Sequence, residues 1–183
     1  MSQHFGPASS RKATQTHGPI AIDAELVRRA QGMVGKLKAR GQSLVTAESC
    51  AGGFIASTLF QTEGAGDVLH GSFVTHAKEE TAHELGVSMR LLAQNTSAVA
   101  EAMAKGALAR STATIALTVS GDMAPGPHRD RNPLGLVFFC CRNRFGQSVC
   151  IGKDFGDHTH QDLMRVTVVT GLTMLEDFVR KAG

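Results

Sequence analysis

A chain of 183 residues carries enough apolar side chains for one full core and too few for two ordinary domains. Nineteen Lys and Arg against sixteen Asp and Glu leave a scattered formal charge of +3, and Trp and Tyr are absent, so the basic stripe and stacking platforms of a nucleic-acid binder are missing. No apolar run is long enough to span a membrane, and four cysteines (Cys50, Cys140, Cys141, Cys150) have the wrong density and spacing for a disulfide scaffold or a CxxC zinc site, so a reducing, cytoplasmic setting is expected.

Residues 1–20 are polar and acid-poor without an apolar stretch, and are expected to be a flexible arm ahead of one α/β domain at 21–183. From Asp23, an N-cap type, Leu26, Val27, Ala30, Met33, Val34 and Leu37 share one helical face up to Gly41. Ser43–Thr46 reads as a strand, Phe54–Phe60 as a helix, and Asp67–Thr75 as a second strand kinked at Gly71. Lys78–Leu85 is a short helix ended by Gly86, and Thr96 opens a longer one with a small-residue face of Val99, Ala102, Met103, Ala107 and Leu108. Thr114–Ser120 is a buried strand, Gly121–Pro133 a long turn, and Leu134–Cys141 with Ser148–Lys153 a hairpin. Leu163, Val166, Val169, Leu172, Leu175 and Phe178 make His160–Lys181 a closing helix capped by Thr159. The order predicts a three-layer α/β/α sandwich with a mixed sheet.

The chemistry concentrates at Thr46-Ala47-Glu48-Ser49-Cys50-Ala51-Gly52-Gly53, where a strand breaks into a turn and a helix starts. A hydroxyl at such a turn can attack a carbonyl while the backbone N–H groups of Cys50 to Gly53 hold the oxyanion. The same residues also read as a helix N-cap with glycines for close packing, and Cys50 as a small buried residue.

This stretch closely resembles the T-A-E-S-C-T-G-G signature of the CinA C-terminal domain family. Gly71-Ser72-Phe73-Val74-Thr75 with Leu85-Gly86-Val87, the helix after Thr96, and Val119-Ser120-Gly121 through Pro133-Leu134-Gly135 are similar to further segments of that family. The resemblance implies a three-layer domain, often a homodimer, that hydrolyses nicotinamide mononucleotide to nicotinate mononucleotide and ammonia without a cofactor. Carried over by position, Ser49 is the nucleophile, Glu48 a structural or orienting carboxylate, and Cys50, Gly52, Gly53, Thr75, Gly121, Pro125 and Gly126 belong to the site wall. Arg129 and Arg165 are the expected phosphate contacts, with Arg131 beside them; guanidinium forks suit that group.

The chain departs from the family pattern close to the chemistry. His76 stands for the usual Tyr, Lys78 for Asn and Thr81 for Lys. Either the proton transfer has been rewired, with His76 as base and Lys78, one helical turn from Thr81, as the ammonium, or the domain keeps the fold and binds a nucleotide or protein partner without turnover. Asp157, His158 and His160, with Asp122, His128 and Asp130, have metal-ligand chemistry, but a solvated loop accounts for them and no metal is expected.

Overall fold

The computed structural model describes residues 22–121, 123, 135–156 and 158–181. Helix α1 (Ala24–Ala39) leads into β1 (Leu44–Glu48), α2 (Phe54–Phe60), a single turn α3 (Ala65–Val68) and β2 (Leu69–Val74). Then come α4 (Lys78–Leu85), the turn α5 (Met89–Leu92), α6 (Ser97–Ala109), β3 (Ile115–Gly121), the hairpin β4 (Leu136–Asn143) and β5 (Ser148–Asp154), and α7 (His160–Lys181). The sheet order is β2-β1-β3-β4-β5; β1 pairs parallel with β2 and β3, while β4 runs antiparallel to both of its neighbours. This is the expected α/β sandwich with a mixed sheet.

Local signals act as the sequence suggests at several points. The Asp23 carboxylate accepts the Leu26 N–H at 2.8 Å and caps α1. Thr159 Oγ1 accepts the Asp162 N–H at 3.2 Å at the start of α7. The kink expected at Gly71 is a register shift, in which Leu44 faces Leu69 but Val45 faces Gly71, so His70 is the extra residue. Two single turns, α3 and α5, replace expected strand and loop residues.

Strand alternation sorts the core into two faces. Leu44 of β1 and Ile115, Leu117 and Val119 of β3 join Leu26, Leu37, Ile55, Leu172 and Leu175 under α1, α2 and α7. Large aliphatic side chains dominate there, each contributing about 1.5–3 kcal/mol when fully buried. Val45, Ala47 and Ala116 face α4 and α6, where Ala100, Ala104 and Ala107 let the helix lie close to the sheet. Gly106 shows how close: a Cβ there would fall 2.0 Å from the Leu85 carbonyl oxygen, so the end of α4 rests directly on α6.

One sequence expectation is overturned. Cys140 and Cys150 stand opposite each other across β4 and β5 and form a disulfide, which Cys50 and Cys141 do not join. Hairpin register brings together residues whose spacing is uninformative, and the cysteine argument for a reducing compartment falls with it. Burial pushes the Cys141 thiol well above its ordinary value, as suits an inert core residue. Among the described residues, no helix is long and apolar enough to cross a membrane.

Candidate functional site

The parallel strands β2, β1 and β3 end together, and the ladder extends one rung beyond β1. Thr75 N–H donates to the Glu48 carbonyl at 3.0 Å, and Ser49 N–H to the Val119 carbonyl at 3.0 Å. The register pairs Glu48 with Val74 and Val119, so Ser49 follows between Thr75 and Ser120. By alternation these three hydroxyl residues share the α4/α6 side of the sheet, as Ala47, Phe73 and Thr118 do one step earlier. Ser49 is half-buried, and its hydroxyl has no hydrogen-bond partner among the described residues.

Glu48 points to the other side and is fully buried. Its carboxylate accepts the Ile55 N–H at 3.1 Å and the Ala56 N–H at 2.9 Å, with the Gly53 N–H also facing it. The Thr46 hydroxyl lies 3.2 Å from Glu48 Oε1 and 2.7 Å from Ser72 Oγ. Burial pushes the Glu48 carboxyl up from its ordinary value, opposed by the N–H groups of Ala56 and Ile55 and by Thr46. The start of α2 is thereby consumed: Glu48 holds the turn in place and offers nothing to a ligand. Of the N–H groups between Cys50 and Gly53, those of Ala51 and Gly52 face no acceptor among the described residues.

The glycine pair is required by backbone shape. Gly52 and Gly53 have φ of +57° and +89°, in the left-handed region, and a Cβ on Gly53 would meet Val74 Cγ2 at 3.2 Å. At Gly121 a Cβ would lie 2.4 Å from the Leu136 carbonyl oxygen, so glycine lets the end of β3 pass β4 closely.

Downstream of β2, Thr75 and Thr81 join their hydroxyls at 2.8 Å in the interior, and Thr81 also donates to the Ala77 carbonyl at 3.1 Å. Thr81 thus fills its position as a packing residue of α4. Lys78 is the first residue of α4, half-buried and one turn from Thr81, hence on the same side of that helix. His76 is exposed in the link between β2 and α4.

Arg165 is not available as expected. Its guanidinium donates to Asp23 Oδ2 at 2.8 Å and to Glu25 Oε2, tying α7 to the start of α1. These partners raise the Arg165 pKa, chiefly Asp23, while Asp23 is lowered by the Leu26 N–H and then by Arg165. Two carboxylates already occupy the fork that a phosphate would need. Asp122, Pro125, Gly126, His128, Arg129, Asp130, Arg131 and Asp157 lie outside the described residues. His160 Nδ1 lies 3.3 Å from the Met123 carbonyl, which ties the start of α7 to the chain just after β3. A groove of about 680 Å³ between β5 and α7, lined by Val149, Ile151, Val169, Met174 and Phe178 among others, holds none of the expected site residues.

Sequence reasoning did not single out Ser120. It is 4 % exposed, and its hydroxyl has no hydrogen-bond partner among the described residues. Only its place on the rung beside Ser49 marks it, and that needs the register.

The chain is similar to known proteins over most of its length. A model of the CinA C-terminal domain matches residues 27–179. The chain belongs to the CinA C-terminal domain family. Nicotinamide-nucleotide amidohydrolase PncC of Escherichia coli (strain K12) is 29% identical over 161 residues, which cover 86% of this chain and 98% of that protein. A putative competence-damage inducible protein of Symbiobacterium thermophilum is 41% identical over 115 residues, 61% of this chain and 27% of the longer relative. Among solved structures, the competence/damage inducible protein CihA of Agrobacterium tumefaciens superposes with a TM-score of 0.81 at 31% identity, covering 86% of this chain and 97% of its own. This CinA-type fold therefore comes with homology to an amidohydrolase at nearly full length.

Proposed function

We propose that this chain hydrolyses the carboxamide of a pyridine mononucleotide, giving the carboxylate and ammonia, with Ser49 as nucleophile. The observation that carries the reading is the unpartnered Ser49 hydroxyl on the rung between Thr75 and Ser120, beside the open N–H groups of Ala51 and Gly52. Ser49 Oγ attacks the carboxamide carbon as its proton passes to a base, and the resulting oxyanion is held by those two N–H groups. The C–N bond then breaks, ammonia leaves with the proton, and water cleaves the ester to restore Ser49. His76 serves as the base, an imidazole nitrogen being a suitable proton acceptor, and Lys78 is the second candidate at the same strand ends. Glu48 carries no proton in this scheme; sealed against α2, it fixes the position of the turn.

A second reading rests on Thr81. The family's Lys is replaced there by a buried hydroxyl already bonded to Thr75, which fits a domain that binds a nucleotide without turning it over.

The test is ammonia release from nicotinamide mononucleotide. Turnover should fall by at least about 10³-fold in Ser49→Ala, as for loss of a catalytic nucleophile. Equal release by the variant would exclude the nucleophile. Wild-type protein that is thermally stabilised by the nucleotide but releases no ammonia would establish the second reading.

A further inference from the structure

The outermost strand, β5, has one face covered and the other bare. On the α6 side Ser148 Oγ donates to Glu101 at 2.7 Å, and Cys150 is bound to Cys140. The Phe138 ring lies over Gly152, where a Cβ would meet Cε1 at 3.0 Å. By alternation Val149, Ile151 and Lys153 point to the opposite side, with their ladder partners Cys141, Phe139 and Val137. Those partners belong to the core beneath α7, whereas Val149 is 45% exposed and Lys153 is exposed as well. The helix layer on that side stops one strand short of the sheet.

The groove of about 680 Å³ between β5 and α7 is the space this leaves. β5 leads straight into α7, and the short connection makes strand and helix run in opposite directions, so they wall a straight trough. Its lining runs about 13 Å along β5, from Val149 to Lys153, and about 18 Å along α7, from Val169 to Lys181. Ile151, Met174 and Phe178 make the middle apolar, and a lysine stands at each end. Neither Lys153 nor Lys181 makes an ion pair among the described residues. The one acidic residue of the lining, Asp177, lies one turn before Lys181 and accepts Arg180 Nη2 at 2.8 Å. The Lys153 end is therefore the cationic one, with no acid of the lining beside it.

Size and shape decide the occupant. A further helix, about 10 Å across, would rest on a single edge strand and overhang it, because strands lie about 4.8 Å apart. An unbranched hydrocarbon chain is narrow enough for the strip, and its length runs with the trough. Volumes of about 300–1,000 Å³ with an apolar lining and few polar groups are those of small-ligand sites. We propose that this groove binds a free straight-chain monocarboxylate, with its tail along Ile151, Met174 and Phe178 and its carboxylate paired with Lys153. The site is separate from the Ser49 turn and does not depend on the amidase reading.

Calorimetric titration of the full chain with decanoate, hexanoate and decanol, each below its micelle concentration, tests the assignment. Decanoate should bind at least about tenfold more tightly than hexanoate, since four fewer buried methylenes remove more than that. It should also bind several-fold more tightly than decanol, which has the same tail and no charge. Lys153→Met should bring decanoate affinity down to that of decanol and leave decanol affinity unchanged. Val149→Glu sets a carboxylate against the tail and should abolish binding of both. Val149 and Lys153 are both exposed, and ligand-free melting temperatures check that the variants fold. Equal affinity for decanoate and hexanoate, or a Lys153→Met variant that binds decanoate as the wild type does, overturns the proposal. So does binding to anionic lipid vesicles with none to the free acid, which gives the groove to a membrane surface. A dimer in sedimentation that binds no decanoate and is split by Val149→Glu gives it to a second copy and overturns the proposal equally.

Discussion

Two helices start at the carboxyl ends of the central strands, and they are treated in opposite ways. At α2 the protein supplies its own anion: Glu48 is buried and takes the N–H groups of Ile55 and Ala56. At α6 the first turn carries no acidic residue and the N-cap side chain makes no hydrogen bond to the helix. The α2 end is a structural clamp, whereas the α6 end is held by its packing on the sheet, where Thr118 Oγ1 donates to the Ala100 carbonyl. Ser49 follows Glu48 in the turn that the clamp anchors.

The contrast breaks most visibly at Glu48. Glu48→Ala leaves two N–H donors without their acceptor, each costing about 1–3 kcal/mol, so a loss of about 2–6 kcal/mol is expected in urea unfolding. Activity should fall further than stability explains, because the Ser49 turn loses its anchor. Ser120→Ala, the matched change on the rung beside Ser49, should cost no stability, since an unpartnered hydroxyl is removed. Equal stability losses in the two variants would refute the comparison.

The α6 end is also set by Gly106, where the next largest effect is expected. Alanine in place of glycine inside a helix ordinarily gains up to about 1 kcal/mol. Here the added methyl would meet the Leu85 carbonyl, which belongs to backbone and cannot swing aside, so Gly106→Ala should lose about 1–3 kcal/mol by overpacking. A stabilised variant would show that α4 yields to α6 at little cost.

Much of this arrangement is legible in the chain. The run Leu44 to Gly53 announces strand, turn and helix; the three-to-four spacing after His160 announces α7; and Asp23 caps the helix it precedes. What escapes depends on register or on distant partners. Cys140 meets Cys150 only because the hairpin pairs them, and Arg165 finds its carboxylates on α1 some 140 residues away. Glu48 reads as an orienting group, but its partners are N–H groups seven and eight residues on, which no side-chain pattern reveals. Ser120 looks like any strand serine until the ladder puts it beside Ser49. Thr81 reads as a missing lysine, whereas in the fold its hydroxyl is bonded to Thr75 within the interior. Local periodicity thus dictates the elements, while the site is made by the order in which the sheet assembles them.

The smallest effect, and the one that separates the two helix starts without disturbing either, is the pH dependence of stability. Burial raises the Glu48 pKa in the folded chain, so between the ordinary carboxylate value and the raised one the folded state binds more protons than the unfolded state. Its contribution is complete below the unfolded pKa and is lost as pH rises through the folded one. Asp23 acts oppositely: lowered by the Leu26 N–H and Arg165, it contributes above its unfolded pKa and loses that contribution as pH falls, but it is exposed to solvent and weakly coupled. Urea midpoints followed from acid to neutral pH should therefore decline above the usual carboxylate range. Glu48→Gln should flatten that decline from a lower starting stability, since an amide cannot accept both N–H groups as the carboxylate does. Ser120→Ala should run parallel to the wild type, because a serine hydroxyl does not titrate in that window. A decline that survives in Glu48→Gln would place the titrating group elsewhere and remove the claim that α2 is closed by a buried carboxylate.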